Sequence, residues 1–174
     1  MRFLNVDLTG LGNRPHPVLS GVNSAHEVEK LRPAVKFLTG DYLTFDRQAR
    51  DSGGEVRPDC IFCPGFAGQP PPRDTIEHVI SQCLATSDAR DRIMPELLSA
   101  VSLYYPENKI KSSVWNFTTL TQFTLNCTSL NLPSDCRFNV NDPNASKIFA
   151  IGRDLCYAIH SDRVKNLNQL KSKS

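Results

Sequence analysis

The sequence contains no long apolar run. No stretch approaches the roughly 20 residues that a membrane-spanning helix needs. The opening Met1-Arg2-Phe3-Leu4-Asn5 passes straight into polar residues, without the apolar core of a secretory signal. From these absences we expect an intracellular protein, nuclear and/or cytoplasmic, with no membrane partner. An excess of one charge is also lacking, since 20 Lys and Arg against 18 Asp and Glu leave +2 at pH 7. That balance gives no bulk attraction for a polyanion, so any such contact must come from a local patch. No Ser/His/Asp or Cys/His arrangement suited to nucleophilic catalysis is visible. Carboxylates are abundant but fall in no pairing that suggests acid–base chemistry. The expectation is a protein that is not an enzyme.

What is present is proline and cysteine. Twelve prolines in 174 residues cluster before Glu27, around residues 58–72 and at 133–143, marking breaks between elements. A hydrophobic content of 40% supports a core, but not a large one. The length allows one domain, or a compact domain with an appended arm. Asn116, Asn126 and Asn144 each begin an N-x-[ST] triplet. Without a secretory signal these read as chance.

Three of the six cysteines stand close together with a histidine. Cys60-Ile61-Phe62-Cys63 is C-x2-C, and His78-Val79-Ile80-Ser81-Gln82-Cys83 is H-x4-C. Three thiolates and an imidazole are the ligand set of a structural Zn2+ site, a closed tetrahedron of sulfur and nitrogen. The tight C-x2-C turn sets two sulfurs on one side of the metal. The second half reads as a short helix, with Asp74 or Thr75 as N-cap and Glu77 in the first turn. A five-residue step on a helix turns about 140°. His78 and Cys83 therefore reach one ion only if the helix tightens or ends before Cys83. C-x2-C alone also suits a redox pair. Cys127, Cys136 and Cys156 read as ordinary buried or half-buried thiols.

Residues 1–22, rich in Gly, Pro and Asn, read as an extended arm lying on another surface. Asn23 or Ser24 can cap a helix, with Glu27 at the capping-box distance from Ser24, and over Ala25 to Thr39, Val28, Leu31, Val35 and Leu38 give a helical stripe. Pro33 predicts a kink or restart within it, and Gly40 its end. A second short helix is expected over Asp41–Ala49, anchored by Tyr42, Leu43 and Phe45. A longer one is expected from Thr86 or Ser87, capped by Ser87 or Asp88. Its expected inner face is Ile93, Leu97, Val101 and Tyr104, with Pro95 as a point of division and Pro106 as the stop. Val114 to Leu125 is an apolar segment, read as helix with strand as the alternative. Asn141-Asp142-Pro143 is a strong helix start, leading to Ile148, Ile151, Leu155 and Ile159, with Val164 and Leu167 beyond. Residues 171–174 read as a frayed tail. The fold class is mostly α: a small irregular helical domain over residues 23–170, stabilised by one structural zinc of CCHC type.

The order of these features resembles a known family. Leu4-Asn5-Val6 and His16-Pro17-Val18 lie in the arm, and Phe37-Leu38-Thr39-Gly40-Asp41-Tyr42 closes the first helix. Arg47 and Pro58-Asp59-Cys60-Ile61-Phe62-Cys63 follow. Then come Thr75-Ile76-Glu77-His78-Val79-Ile80-Ser81-Gln82-Cys83, Ala89-Arg90-Asp91-Arg92 and Leu155-Cys156-Tyr157-Ala158-Ile159-His160. Together they resemble the zinc-binding region C-terminal to the polymerase in reverse transcriptases of non-LTR (LINE-like) retrotransposons. The resemblance covers nearly the whole chain. Two departures stand out: the loop from Cys63 to His78 is long and Pro-rich, and no Tyr-x-Asp-Asp or second acidic cluster is present to hold catalytic metals.

The resemblance implies a nucleic-acid-binding tail that positions RNA template or target DNA, with RNA and/or DNA of a retroelement and a preceding polymerase domain as partners. Candidate phosphate contacts are Arg57, Arg73, Arg90 and Arg92, which flank the metal stretch. Asp59, Asp74, Glu77, Asp88 and Asp91 lie among them, so solvated ion pairs are the competing explanation. A zinc bound by three thiolates carries net negative charge and does not itself attract phosphate. Phe62 and Phe66 suit base stacking or, more commonly, packing beneath the metal. The alternative function is a protein-interaction or scaffolding module in which zinc is purely structural.

Overall fold

The structure is a computed structural model, and it describes residues 17–19, 22–102, 125 and 143–172. Among these the chain is mostly helical and contains no strand. The α-helices whose bounds fall among the described residues are α1 (Ala25–Thr39), α2 (Phe45–Asp51), α3 (Ile76–Ser81), α4 (Ser87–Ser102) and α5 (Pro143–Lys171). Single 3-10 turns occupy Pro17–Leu19 and Leu84–Thr86.

The helix ends follow their capping chemistry. Ser24 takes extended backbone, and its hydroxyl accepts the Glu27 amide at 3.2 Å. The Glu27 carboxylate turns instead toward Lys30 (3.4 Å) and Arg153 (3.6 Å), so the reciprocal half of a capping box is replaced by ion pairs. Gly40 closes α1 at φ 75°, a left-handed turn that a side chain disfavours. There is no restart at Pro33: α1 runs through it, and Pro33 is buried. The buried face is also rotated from the expected stripe. Pro33, Ala34, Phe37 and Leu38 are buried, whereas Val28 is 45% exposed and Leu31 and Val35 are half-buried. Small Ala34 beside bulky Phe37 makes the surface on which α5 lies.

The second helix starts later than expected. Thr44 caps it, accepting the Arg47 amide at 3.1 Å. Tyr42 lies in the connection, buried and stacked on Phe37 at 3.8 Å between centroids. Its hydroxyl shares a hydrogen bond with His160 Nδ1 at 3.2 Å. Leu43, expected as an anchor, is 62% exposed. In α4, Pro95 does not divide the helix. Ser87 is its first residue, but its hydroxyl donates back to the Leu84 carbonyl at 2.8 Å rather than capping.

The core lies where α1 and α4 meet α5. Leu97 and Val101 of α4, Phe37 of α1, and Ile148, Leu155 and Ile159 of α5 are fully buried together, with Val79 and Ile80 of α3 and with Leu125. The expected apolar face of α5 is thus the core face, except that Val164 is 39% exposed. Val18 enters the same core, and its carbonyl accepts from Arg153 Nη1 at 2.8 Å. Residues 1–16, Tyr104, Pro106, the segment 114–124, Cys127, Cys136 and the final two residues lie outside the described residues.

Candidate metal centre

A second, smaller cluster sits beside the core, made of Cys60, Cys63 and Cys83 with Phe62 and Ala85 against them. Its arm is shaped by a single antiparallel bridge. The Cys60 amide donates to the Pro72 carbonyl and the Asp74 amide to the Pro58 carbonyl, each at 2.8 Å, pairing Asp59 with Arg73. This bridge brings the C-x2-C turn alongside the start of α3 and leaves 64–71 as the loop between them.

Thr75, not Asp74, is the N-cap of α3, accepting the His78 amide at 3.2 Å. The helix ends at Ser81, and Cys83 adopts extended backbone at φ −60°, ψ 131°. His78 therefore projects from the only full turn, and Cys83 leaves the helix before the five-residue step can carry it to another face. The Gln82 and Cys83 amides both donate to the His78 carbonyl, at 2.9 and 2.8 Å. Thr86 fixes the exit: its hydroxyl lies 2.8 Å from the Val79 carbonyl and 3.1 Å from that of Cys83.

The four ligand atoms of Cys60, Cys63, His78 and Cys83 all lie within 4.8 Å of one another, and all four residues are buried. Cys60 Sγ and Cys83 Sγ are 3.7 Å apart and unbonded. A tetrahedron built on metal–sulfur bonds of about 2.3 Å has edges of about 3.8 Å. Both ring nitrogens of His78 are buried without a hydrogen-bond partner, a costly state for an imidazole unless an ion takes one of them. Donor set, spacing and orphaned nitrogens all fit a metal ion.

The three thiols shift in different directions. The Cys60 thiol is pushed up to about 12, first by its hydrogen bond with Cys83 and then by burial. That bond lowers Cys83, while burial raises Cys63. The Leu84 amide donates to Cys63 Sγ at 3.3 Å, stabilising charge on that sulfur. No fifth side chain completes the group among the described residues, so the set is closed in the manner of a structural centre. No family model, curated protein or solved structure matches this chain.

A buried ion pair that the sequence did not advertise anchors the arm. Asp74 is fully buried, and its Oδ2 accepts the Phe45 amide at 2.6 Å and an Arg163 Nη2. The Arg163 guanidinium lies 5.4 Å from the Phe62 ring centre and 5.7 Å from that of Phe45. Phe62 thus packs within the arm, whereas Phe66 is 85% exposed at the loop. Spacing could not reveal a pair 89 residues apart; the only available sign was an Arg among apolar residues on the inner side of α5.

The four arginines expected at a phosphate surface have different surroundings. Arg73 pairs with Asp46 at 2.6 Å and Arg57 with Asp59 at 3.2 Å. Arg90 is half-buried, donating to the Thr86 hydroxyl at 2.6 Å, and burial lowers its pKa. Arg92 is exposed on α4. Cys156 is fully buried in the core, which pushes its thiol far up.

Proposed function

We propose that the centre holds Zn2+ and that the chain is a zinc-stabilised nucleic-acid-binding module, positioning RNA template or target DNA without chemistry of its own. The observation that carries the reading is the convergence of Cys60, Cys63, His78 and Cys83 within 4.8 Å. Zinc is the ion that a closed Cys3His set suits best, and bound there it stabilises the arm. The step from metal to nucleic acid rests on the resemblance to the post-polymerase region of non-LTR retrotransposon reverse transcriptases. Its most specific elements, Leu38-Thr39-Gly40-Asp41-Tyr42 and C-x2-C…H-x4-C, are adjacent parts of one folded unit. A nuclear and/or cytoplasmic setting, where thiols stay reduced, goes with this assignment.

Two measurements test it. Elemental analysis of purified protein should return one equivalent of zinc, lost in Cys63→Ser; a metal-free, fully folded protein would sink the metal assignment. Binding to RNA or DNA should weaken linearly in log affinity against log salt. No binding at low salt would remove the nucleic-acid reading.

A second reading is favoured by a different observation. Ile61, Phe66 and Leu84, next to or between the ligands in sequence, are 53%, 85% and 58% exposed. Exposed apolar side chains of this kind suit a protein-interaction or scaffolding module in which the metal is purely structural. Such a module would bind nucleic acid no better at low salt than at high.

A further inference from the structure

We propose that the groove between α1 and the C-terminal half of α5 is the surface that receives the sugar–phosphate backbone. This rests on the nucleic-acid reading above and gives it a place. The groove has a volume of about 980 Å³ and is open to solvent. Arg32 and Lys36 line it from α1 and Lys165 from α5, against a single acid, Glu29. All three cations are exposed. None has an ion-pair partner among the described residues.

That last property sets the groove apart. Nearby Lys30 is held by Asp154 at 2.8 Å and by Glu27 at 3.4 Å. The cations of the other sizeable cavity, between α2 and α3, are likewise engaged: Arg47 with Asp41 at 2.7 Å and Arg50 with Asp46 at 3.5 Å. Three of the arginines around the metal centre have partners within the fold. In a chain of net charge +2, an uncompensated cluster is the local patch that a polyanion requires.

The arrangement suits an extended ligand. Arg32 and Lys36 are four residues apart on one helix face, and so are Lys165 and Gln169 on the other. Asn168 and Gln169 bring amides to the same groove, and such groups donate to phosphate and sugar oxygens. The lining along α5 runs from Tyr157 to Gln169, about 18 Å of helix at 1.5 Å per residue. His160 shows the field already present there, since burial and then the Lys36 charge lower its pKa. Local positive potential of this kind is neutralised by an incoming phosphate.

The test uses the full, zinc-loaded chain with a labelled single-stranded RNA and a labelled DNA duplex, followed by fluorescence anisotropy across about 50 to 200 mM salt. Each lost phosphate contact reduces the salt slope by about 0.7 to 0.9. The variant Arg32→Gln/Lys36→Gln/Lys165→Gln should therefore flatten the slope by about 2.1 to 2.7 and weaken binding about a hundredfold or more near about 0.1 M salt. Arg50→Gln/Lys147→Gln, which removes exposed cations outside the groove, should keep most of the affinity. Melting curves and zinc content check that the variants are folded. For wild-type protein, NMR should show the His160 ring resonances moving on addition of RNA. If wild-type protein binds and the groove variant binds equally well, the groove is wrong and the nucleic-acid reading stands. If wild-type protein binds neither probe at low salt, both fall.

Discussion

Arg163 illustrates how much one side chain can hold. Its charge is desolvated, faces two aromatic rings and meets a fully buried carboxylate. Removing one partner of such a pair leaves the other charge stranded, which costs about 3–5 kcal/mol. Asp74→Ala should lower the unfolding free energy by that amount in urea denaturation and also weaken metal retention, because Asp74 directly precedes the cap of α3. Zinc release measured against a chromophoric chelator should therefore be faster in the variant. His160 provides a pH test. Its pKa lies below the ordinary value of 6.5, through burial and then Lys36. Below 6.5 the unfolded chain takes up the proton more readily than the folded one. This residue's contribution is therefore fully present above 6.5 and is lost as pH falls through that value toward the folded pKa. The ring should titrate below 6.5 by NMR. Tyr42→Phe removes the partner of Nδ1 and should cost about 0.5–1.5 kcal/mol. The buried Cys156 thiol should resist alkylation in native protein and react once it is unfolded, as peptide mass mapping would show.

At the scale of elements, end signals matter more than length. Gly40 sits at φ 75° with open space where a Cβ would stand. Gly40→Ala therefore meets no clash, only the left-handed backbone penalty of about 1–2 kcal/mol. Thr75→Ala removes the one side-chain cap of the six-residue α3, costing about 0.5–2 kcal/mol. Both are read from denaturation midpoints, and Thr75→Ala should also loosen zinc because His78 lies in that first turn. These local signals are the ones the sequence made legible: Ser24 and Gly40 bracket α1, Pro143 opens α5, and the metal ligands announce themselves by spacing. Features that depend on what lies opposite were not legible. The buried face of α1 shifted from Val28 and Val35 to Pro33, Ala34 and Phe37, because contact with α5 rewards a close fit rather than the most regular stripe. The proline rule failed at Pro33 and Pro95 for a related reason. Tertiary packing on both sides outweighs one missing backbone hydrogen bond in each helix. The Asp74–Arg163 pair escaped notice because nothing local marks its two halves as belonging together.

For the whole molecule, the important relation is between the two clusters. The sulfur cluster is separate from the main core, yet α3 belongs to both: His78 joins the three sulfurs, while Val79 and Ile80 are fully buried in the helical core. Stripping the metal should therefore do more than open the arm. Chelation is expected to lower the melting temperature of the entire chain and to reduce helical circular dichroism; full retention of both would show that the arm is a passenger. Binding energy in zinc peptides of about 10–16 kcal/mol exceeds the usual stability of a small domain, so the effect should be large. The cationic groove lies on the other side of α5 from its core face and shares no residue with the ligand set, so loss of metal reaches it only through the fold.

The tie between Asp74 and Arg163 also bears on how the chain is made. All four ligands have emerged from the ribosome long before residue 163 is added, so a nascent chain can capture its ion early while the arm remains unlatched. The latch engages only once residue 163 has been added. A premature stop between codons 84 and 163 would therefore spare every ligand and still yield a leaky centre.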